Sequence, residues 1–540
     1  MKITSSFRVM LFAGISLFYG SCVKQSDLEM KNVRINGFTP EFAAPLINAN
    51  LNINELLKQP TVSNYVQINT DGYLSLVHEG FSYSLSADQF VTLPVLFTAS
   101  SAYKLNNTEL STFNSASIGT SVSSTSTNTF SFISIIEVDE ILYKSGQFAL
   151  NVQNNYPANL SYTATVLDLT ANGNPLVLTG NANSLGGSNV SANLNGYLGD
   201  FTAGNPLNHT QLRIRFDFNL TKGAASALAS QDIDVRADII NSNYRTLRGY
   251  FGTASTALPS VSVPIDVFND NRGTINFENP KIDLKITNGL GLPVEVSSLS
   301  PFNLKMANNS IVNITGVTTP LNINPATSFS SPGVTNVNLN GFNSNIKTII
   351  PGRPKEFNFG GSIATNPSGK GSVRNFVSDT SKVVLDGRFE LPLWLTAKDF
   401  GLRDTQALDL ASLGQEAIEW LELRFIISNG LPIENQLQIY IFDSTNNVLI
   451  DSLFSPGLQP ILPGAITNGS GVVTANANKT FDVRVTKQRL DIWNRLNANS
   501  MIFDAAVTTT SNGSIPVKIF PNQAIKIKVS ARTKLTGIIN

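Results

Sequence analysis

The sequence predicts an all-β chain of tandem Ig-like β-sandwich domains behind a short leader, and three observations carry that prediction. Runs of Val, Ile, Thr, Phe and Tyr alternate with polar residues, the period-two pattern of half-buried strands, while helical periodicity is rare. Asn-Gly and Asn-Asn pairs, suited to tight turns, break the runs. A strand-Asn-Pro cassette recurs three times at nearly even spacing, which points to a domain repeat.

The leader comes first. Lys2 and Arg8 give it a positive start, Val9 to Phe18 an apolar stretch too short to span a bilayer, and Gly20-Ser21 the small residues a signal peptidase requires. The next residue is Cys22, the one cysteine of the chain, and a thiolate is the nucleophile that accepts a diacylglyceryl group. Phe18-Tyr19-Gly20-Ser21-Cys22 resembles the lipobox of bacterial lipoproteins, with Tyr19 where that pattern usually has an aliphatic residue. The resemblance implies that residues 1–21 are removed and that Cys22 is lipidated. Residues 22–36, opening Val23-Lys24-Gln25-Ser26-Asp27-Leu28-Glu29, form a polar tether similar to that of surface-displayed lipoproteins of Bacteroidota.

Residues 37–100 are expected to form an N-terminal β-hairpin region. In Asn52-Ile53-Asn54-Glu55-Leu56-Leu57 an Asn can cap a short helical turn, and Val66 and Ile68 run into Asp71-Gly72 and out through Leu74 and Leu76. From Ser111 to Thr129 almost everything is Ser, Thr or Asn, which predicts a long exposed loop.

Three β-sandwich repeats follow, at 101–270, 271–400 and 401–540. Each contains a strand ended by Asn and Pro: Phe148, Leu150 and Val152 up to Asn154 and Pro157; Ile282, Leu284 and Ile286 up to Asn288 and Pro293; Leu423, Phe425 and Ile427 up to Asn429 and Pro432. Asn can bond its own chain and Pro forbids the ladder to continue, so the pair turns the strand out of its sheet. The cassette has a likeness to the strand-Asn-Pro units of late-embryogenesis-type β-sandwiches, which implies no activity. The order of lipobox, hairpin and last third, through Asp451-Ser452-Leu453-Phe454 and Pro516-Val517-Lys518-Ile519-Phe520, is similar to a family of uncharacterised Bacteroidota surface lipoproteins.

Two helical pieces are expected, Leu402 to Glu422 and Thr486 to Ala498. The chain closes on Ile525, Ile527 and Val529 alternating with Lys526 and Lys528, a strand whose basic face discourages edge pairing.

Composition bounds the chemistry. Charged residues make up 14% of the chain, with Lys+Arg 38 balancing Asp+Glu 38, against about 25% charged in ordinary soluble proteins. A neutral surface has no electrostatic footprint for a phosphate backbone, so nucleic acid is not an expected partner. His78 and His209 lack a second ligand at metal-binding spacing and are expected on the surface. The run Asp266 to Gly273 gathers oxygen ligands, but placing its glycine at the EF-hand position puts Phe268 at the first ligand site. Trp394, Trp420 and Trp493 sit among apolar neighbours and are expected to be buried rather than to stack on sugar. Asp451-Ser452-Leu453 and Asp443-Ser444-Thr445 match a short Bacteroidota O-glycosylation pattern, making Ser452 and Ser444 candidate acceptors.

The functional expectation is a non-catalytic, lipid-anchored protein exposed at the outer membrane, with neither cofactor nor metal. It would act as an interaction or structural component, accessory to a larger outer-membrane assembly. Its partners would be the membrane, through the N-terminal lipid, and an outer-membrane protein. A glycan-binding surface lipoprotein is the second reading. A glycoside hydrolase, needing two carboxylates about 5–10 Å apart, is the third.

Overall fold

A computed structural model describes residues 41–53, 58, 65–265, 272–371, 373–408, 418–454 and 457–535. Strand makes up 62% and helix 6%, so the fold is all-β. The strands form sandwiches in which side chains alternate between a buried and a wet face.

One plan is built three times, each time around an Asn-Pro cassette. In the first sandwich one sheet runs Leu96–Tyr103, Ile233–Tyr250, Glu137–Asn154, Gly187–Asn193. The facing sheet runs Ser121–Ser131, Gln211–Lys222, Ala158–Ala171, Asn174–Ala182. The second sandwich repeats this with Leu74–Ser86, Lys382–Pro392, Lys281–Asn288, Gly333–Asn340 against Ala254–Pro264, Pro354–Thr365, Val294–Met306, Ile311–Asn313. The third has Glu41–Asn52, Ala524–Leu535, Ile418–Asn429, Ala477–Thr486 against Phe400–Ala407, Ser500–Thr509, Ile433–Asp443, Val448–Ser452. Rings meet across the interiors, Tyr103 with Phe218 at 5.0 Å in the first and Phe81 with Phe359 at 4.9 Å in the second.

The first strand of each sandwich comes from the N-terminal stretch, in reverse order. Residues 37–100 contain the expected hairpin, Val66–Ile68 against Leu74–Leu76 with Gly72 at φ 82°. The same stretch supplies Glu41–Asn52 to the third sandwich, Leu74–Ser86 to the second and Leu96–Tyr103 to the first. The sandwiches are therefore nested: the chain enters through the third and second, completes the first, then returns to finish the second and third.

The cassette Asn residues explain why each strand ends where it does. Asn154, Asn288 and Asn429 are all fully buried, where an amide must find partners. Asn154 accepts from the Tyr156 N–H at 3.1 Å and donates to the carbonyls of Ala158 and Asn183 at 2.7 and 3.1 Å. Asn429 does the same with Leu431 (2.8 Å), Ile433 (2.9 Å) and Pro463 (2.7 Å). Asn288 accepts from the Leu290 N–H at 2.9 Å, but its Nδ2 makes no hydrogen bond. Each side chain thus stands in for the ladder bonds that the departing strand gives up.

The sandwiches are joined by strand pairing. Asn375–Ser378, from the second sandwich's return, adds to Ile233–Tyr250 of the first. Thr274–Phe277, Trp394–Lys398 and Val517–Lys518 form a small sheet between the second and third.

Three expectations need correction. The Ser/Thr-rich stretch 111–129 is not a loop: it holds the end of the helix Asn107–Ser115 and most of the strand Ser121–Ser131. The helix starts on a capping box, Asn106 with Glu109, and buries Phe113, while the strand pairs hydroxyls across its edge, Ser121 to Thr221 at 3.0 Å and Thr125 to Asp217 at 2.9 Å. The described parts of Leu402 to Glu422 are strands, Phe400–Ala407 and Ile418–Asn429, because both have neighbours to pair with; 409–417 lie outside the described residues. The last strand is not an edge. Lys526 and Lys528 are exposed as expected, but Glu41–Asn52 and Ile418–Asn429 flank Ala524–Leu535 on both sides. The second expected helix is present as Lys487–Arg495, capped by the Thr486 hydroxyl.

Candidate functional site

The residues chosen from the sequence do not come together. Cys22, its tether and the acidic loop 266–271 lie outside the described residues. Ser444 is exposed on a turn, its hydroxyl donating to Asn499 Oδ1 at 2.8 Å. Ser452 is half-buried and donates to the Phe454 carbonyl at 3.2 Å. The acid before it has structural work: Asp451 accepts from Trp493 Nε1 at 2.6 Å and Arg489 Nε at 2.8 Å, fastening the helix Lys487–Arg495 to the sheet. Burial pushes the Asp451 carboxyl up, but these hydrogen bonds outweigh it and leave its pKa lowered. Trp420 and Trp493 are buried and Trp394 is half-buried.

His78 lies in Leu74–Ser86 opposite Phe389. His209 is not the free surface residue expected. Its Nδ1 is 2.7 Å from Asp139 Oδ1, and its side chain is 21% exposed. The cause is Arg374, which arrives from the second sandwich and bonds Asp139 at 2.6 Å and Glu137 at 2.7 Å, while Lys370 bonds Glu137 at 2.7 Å. Burial raises the Glu137 pKa, but the hydrogen bonds of Lys370 and Arg374 more than reverse it. Lys144 and Asp379, 2.7 Å apart, form a further bridge between the same sandwiches. This cluster is a clamp that fixes the first sandwich on the second.

A different place has the shape of a site. On the outer face of the first sandwich, register sets Gln153 opposite Asp234 and Gly187, Asn151 opposite Arg236 and Asn189, and Arg236 opposite Ser100. Strand alternation turns Val152 and Val235 inward and leaves these polar side chains on one face. They line a hollow of about 680 Å³, within the range of small-molecule sites, roughly 300–1,000 Å³. Beneath it Asp238 is 2% exposed and receives Arg236 Nε at 2.9 Å, Arg236 Nη2 at 2.8 Å and Asn151 Nδ2 at 3.2 Å. At the rim, Asn155 Nδ2 bridges Asp232 and Asp234 at 2.8 and 2.9 Å. No local spacing could have revealed this group, because its members lie on four strands spread from residue 100 to residue 238.

Among the described residues no three His, Cys, Asp or Glu side chains are grouped to hold a metal ion, and no helix is long and apolar enough to cross a membrane. Glu434 is set apart from the other carboxyls by burial and the nearby Asp399 charge, which raise its pKa.

Fold and hollow together define a nested, all-β triple sandwich with a hollow on the outer face of its first sandwich. No family model and no curated protein matches the chain. Among solved structures it is similar to a protein of Parabacteroides distasonis provisionally named as secreted, at 9% identity and TM-score 0.25, over 92% of this chain and 99% of that one. It is also similar to VP2 of infectious bursal disease virus, at 8% identity and TM-score 0.13, over 87% and 81% of the two chains. Superpositions this loose carry neither a fold nor a function to this chain.

Proposed function

We propose that the protein is a lipid-anchored component of the outer-membrane surface that acts by binding, as an interaction or structural partner of a larger membrane assembly. The observation that carries this reading is the nesting. The strand Glu41–Asn52, next after the tether, is clasped by the last strand, Ala524–Leu535, so an anchor at Cys22 would hold the third sandwich beside the bilayer. The chain between Cys22 and Glu41 reaches at most about 65 Å when extended. Strand pairing then continues from the third sandwich through the second to the first, joining the three into one body behind the tether.

The test is Cys22→Ser in the native host. Loss of palmitate incorporation and release from the membrane pellet support the anchor; unchanged labelling and membrane retention contradict it. Crosslinking on intact membranes, followed by pull-down, should recover one outer-membrane protein in constant ratio from wild-type cells.

A further inference from the structure

We propose that the hollow on the outer face of the first sandwich binds a neutral oligosaccharide. Four features of the site lead there. Its lining mixes apolar surface from Ala102, Val152 and Val235 with the amides of Asn151, Gln153 and Asn189 and the Ser100 hydroxyl, each polar group offering donor and acceptor within one group. That is the chemistry that matches the vicinal hydroxyls of a sugar ring. Its cation is already paired, Arg236 with Asp238, while the Asp234 carboxylate accepts only from the neutral Asn155 amide and keeps its negative charge. An anionic ligand would need a free cation there, and a wholly apolar one would leave the lining amides without partners.

The third feature is pre-organisation. A carboxylate buried on the outer face of a sheet costs solvation and is kept only when paired. Asp238 is buried in that way, and its partners are two of the lining side chains, Arg236 and Asn151, which it fixes in place. Less ordering is then left for a ligand to supply on binding. The fourth is space. The Asn189 side chain has no hydrogen-bond partner among the described residues, and Gly187 gives the Gln153 amide room, since a Cβ there would stand 3.2 Å from Gln153 Oε1. The unused Asn189 amide, with the acceptor oxygens of Asn151 and Gln153 beside it, is what an incoming hydroxyl network would satisfy.

The inference rests on the proposed surface location only for access to glycans; the binding itself belongs to the first sandwich. The probe is the full chain, purified in detergent and run in native gels containing yeast mannan, xyloglucan, arabinoxylan or amylopectin, with polygalacturonate as the anionic control. At least one neutral polysaccharide should retard the protein, and the double variant Gln153→Ala/Asn189→Ala should weaken that retardation at least tenfold. Both positions are exposed, so the variant should melt with the wild type. Asp238→Ala should also weaken retardation, with Asp238→Asn restoring part of it. Retardation by none of the four, retardation unchanged in the double variant, or retardation by polygalacturonate alone would overturn the proposal. None of these outcomes touches the Cys22→Ser result, so the two proposals fail separately.

Discussion

The first and third sandwiches share one strand order and differ in what fills and borders them. The first closes around large rings, with Phe97, Phe130, Phe148, Phe216 and Phe218 all at most 2% exposed in a core continuous with that of the second. The third divides part of its interior into two small clusters, one around Phe425, Ile427, Val483, Ile525 and Val529, the other around Trp493 and Leu490. It also holds both the earliest and the latest described strands. Topology therefore repeats while packing does not. The sandwich that the tether would pull on is the one with the thinner core, and the sandwich carrying the hollow is the better filled.

The largest expected effects bear on that contrast. Phe148→Ala removes a fully buried ring from the continuous core and should cost about 4 kcal/mol, whereas Phe425→Ala, in the smaller cluster, should cost about 3 kcal/mol. Chemical denaturation, with hydrogen exchange read on Glu137–Asn154 and Ile418–Asn429, would separate the two. Equal protection of both strands in the wild type would break the comparison.

The cassette amides sharpen it. Asn154→Ala and Asn429→Ala each remove three hydrogen bonds from the turn that ends the strand, at a cost of about 3 kcal/mol. Asn288→Ala strands only the Leu290 N–H and should cost about 1 kcal/mol. A cost at Asn288 as large as at the other two would mean that the three amides are equivalent despite their different bonding.

The smallest effect is on pH. Glu109 and Glu137 in the first sandwich have pKa values lowered from 4.5: burial raises both, and hydrogen bonds, from Ser124 and Tyr103 or from Lys370 and Arg374, outweigh it. Their stabilisation is present above the unfolded value and lost as pH falls through the folded one. Glu434 in the third sandwich has a raised pKa and acts in the opposite sense, losing stability as pH rises through its folded value and regaining it on acidification. Acidification from neutral to below pH 4.5 should therefore weaken the clamp between the first and second sandwiches, read as faster exchange at Asn375–Ser378. Replacing Glu434 by Gln should flatten the pH dependence of the third sandwich alone.

How much of this was legible depends on sequence distance. The cassettes were visible because Asn154, Asn288 and Asn429 end strands by local chemistry, and the hairpin at Asp71-Gly72 and the helix after Thr486 were visible for the same reason. The partners of Glu41–Asn52 and Leu74–Ser86 were not, since nothing near those residues records pairing with Ala524–Leu535 or Lys382–Pro392. The misreading of 111–129 has a local cause. Its low apolar content says loop, yet a helix can start just upstream on the Asn106–Glu109 capping box, and an edge strand can be built from Ser and Thr when hydroxyl pairs line it. His209 and the hollow stayed hidden because their neighbours come from distant strands or from another sandwich.

Nesting is the claim on which the anchor geometry depends, and one crosslink tests it directly. Asn48 and Lys528 are exposed partners across the first and last strands. In a Cys22→Ser background, Asn48→Cys with Lys528→Cys should form an intramolecular disulfide in the folded monomer, shifting its mobility on a non-reducing gel. Dimers linked between chains, or free thiols at both positions, would contradict the nested fold.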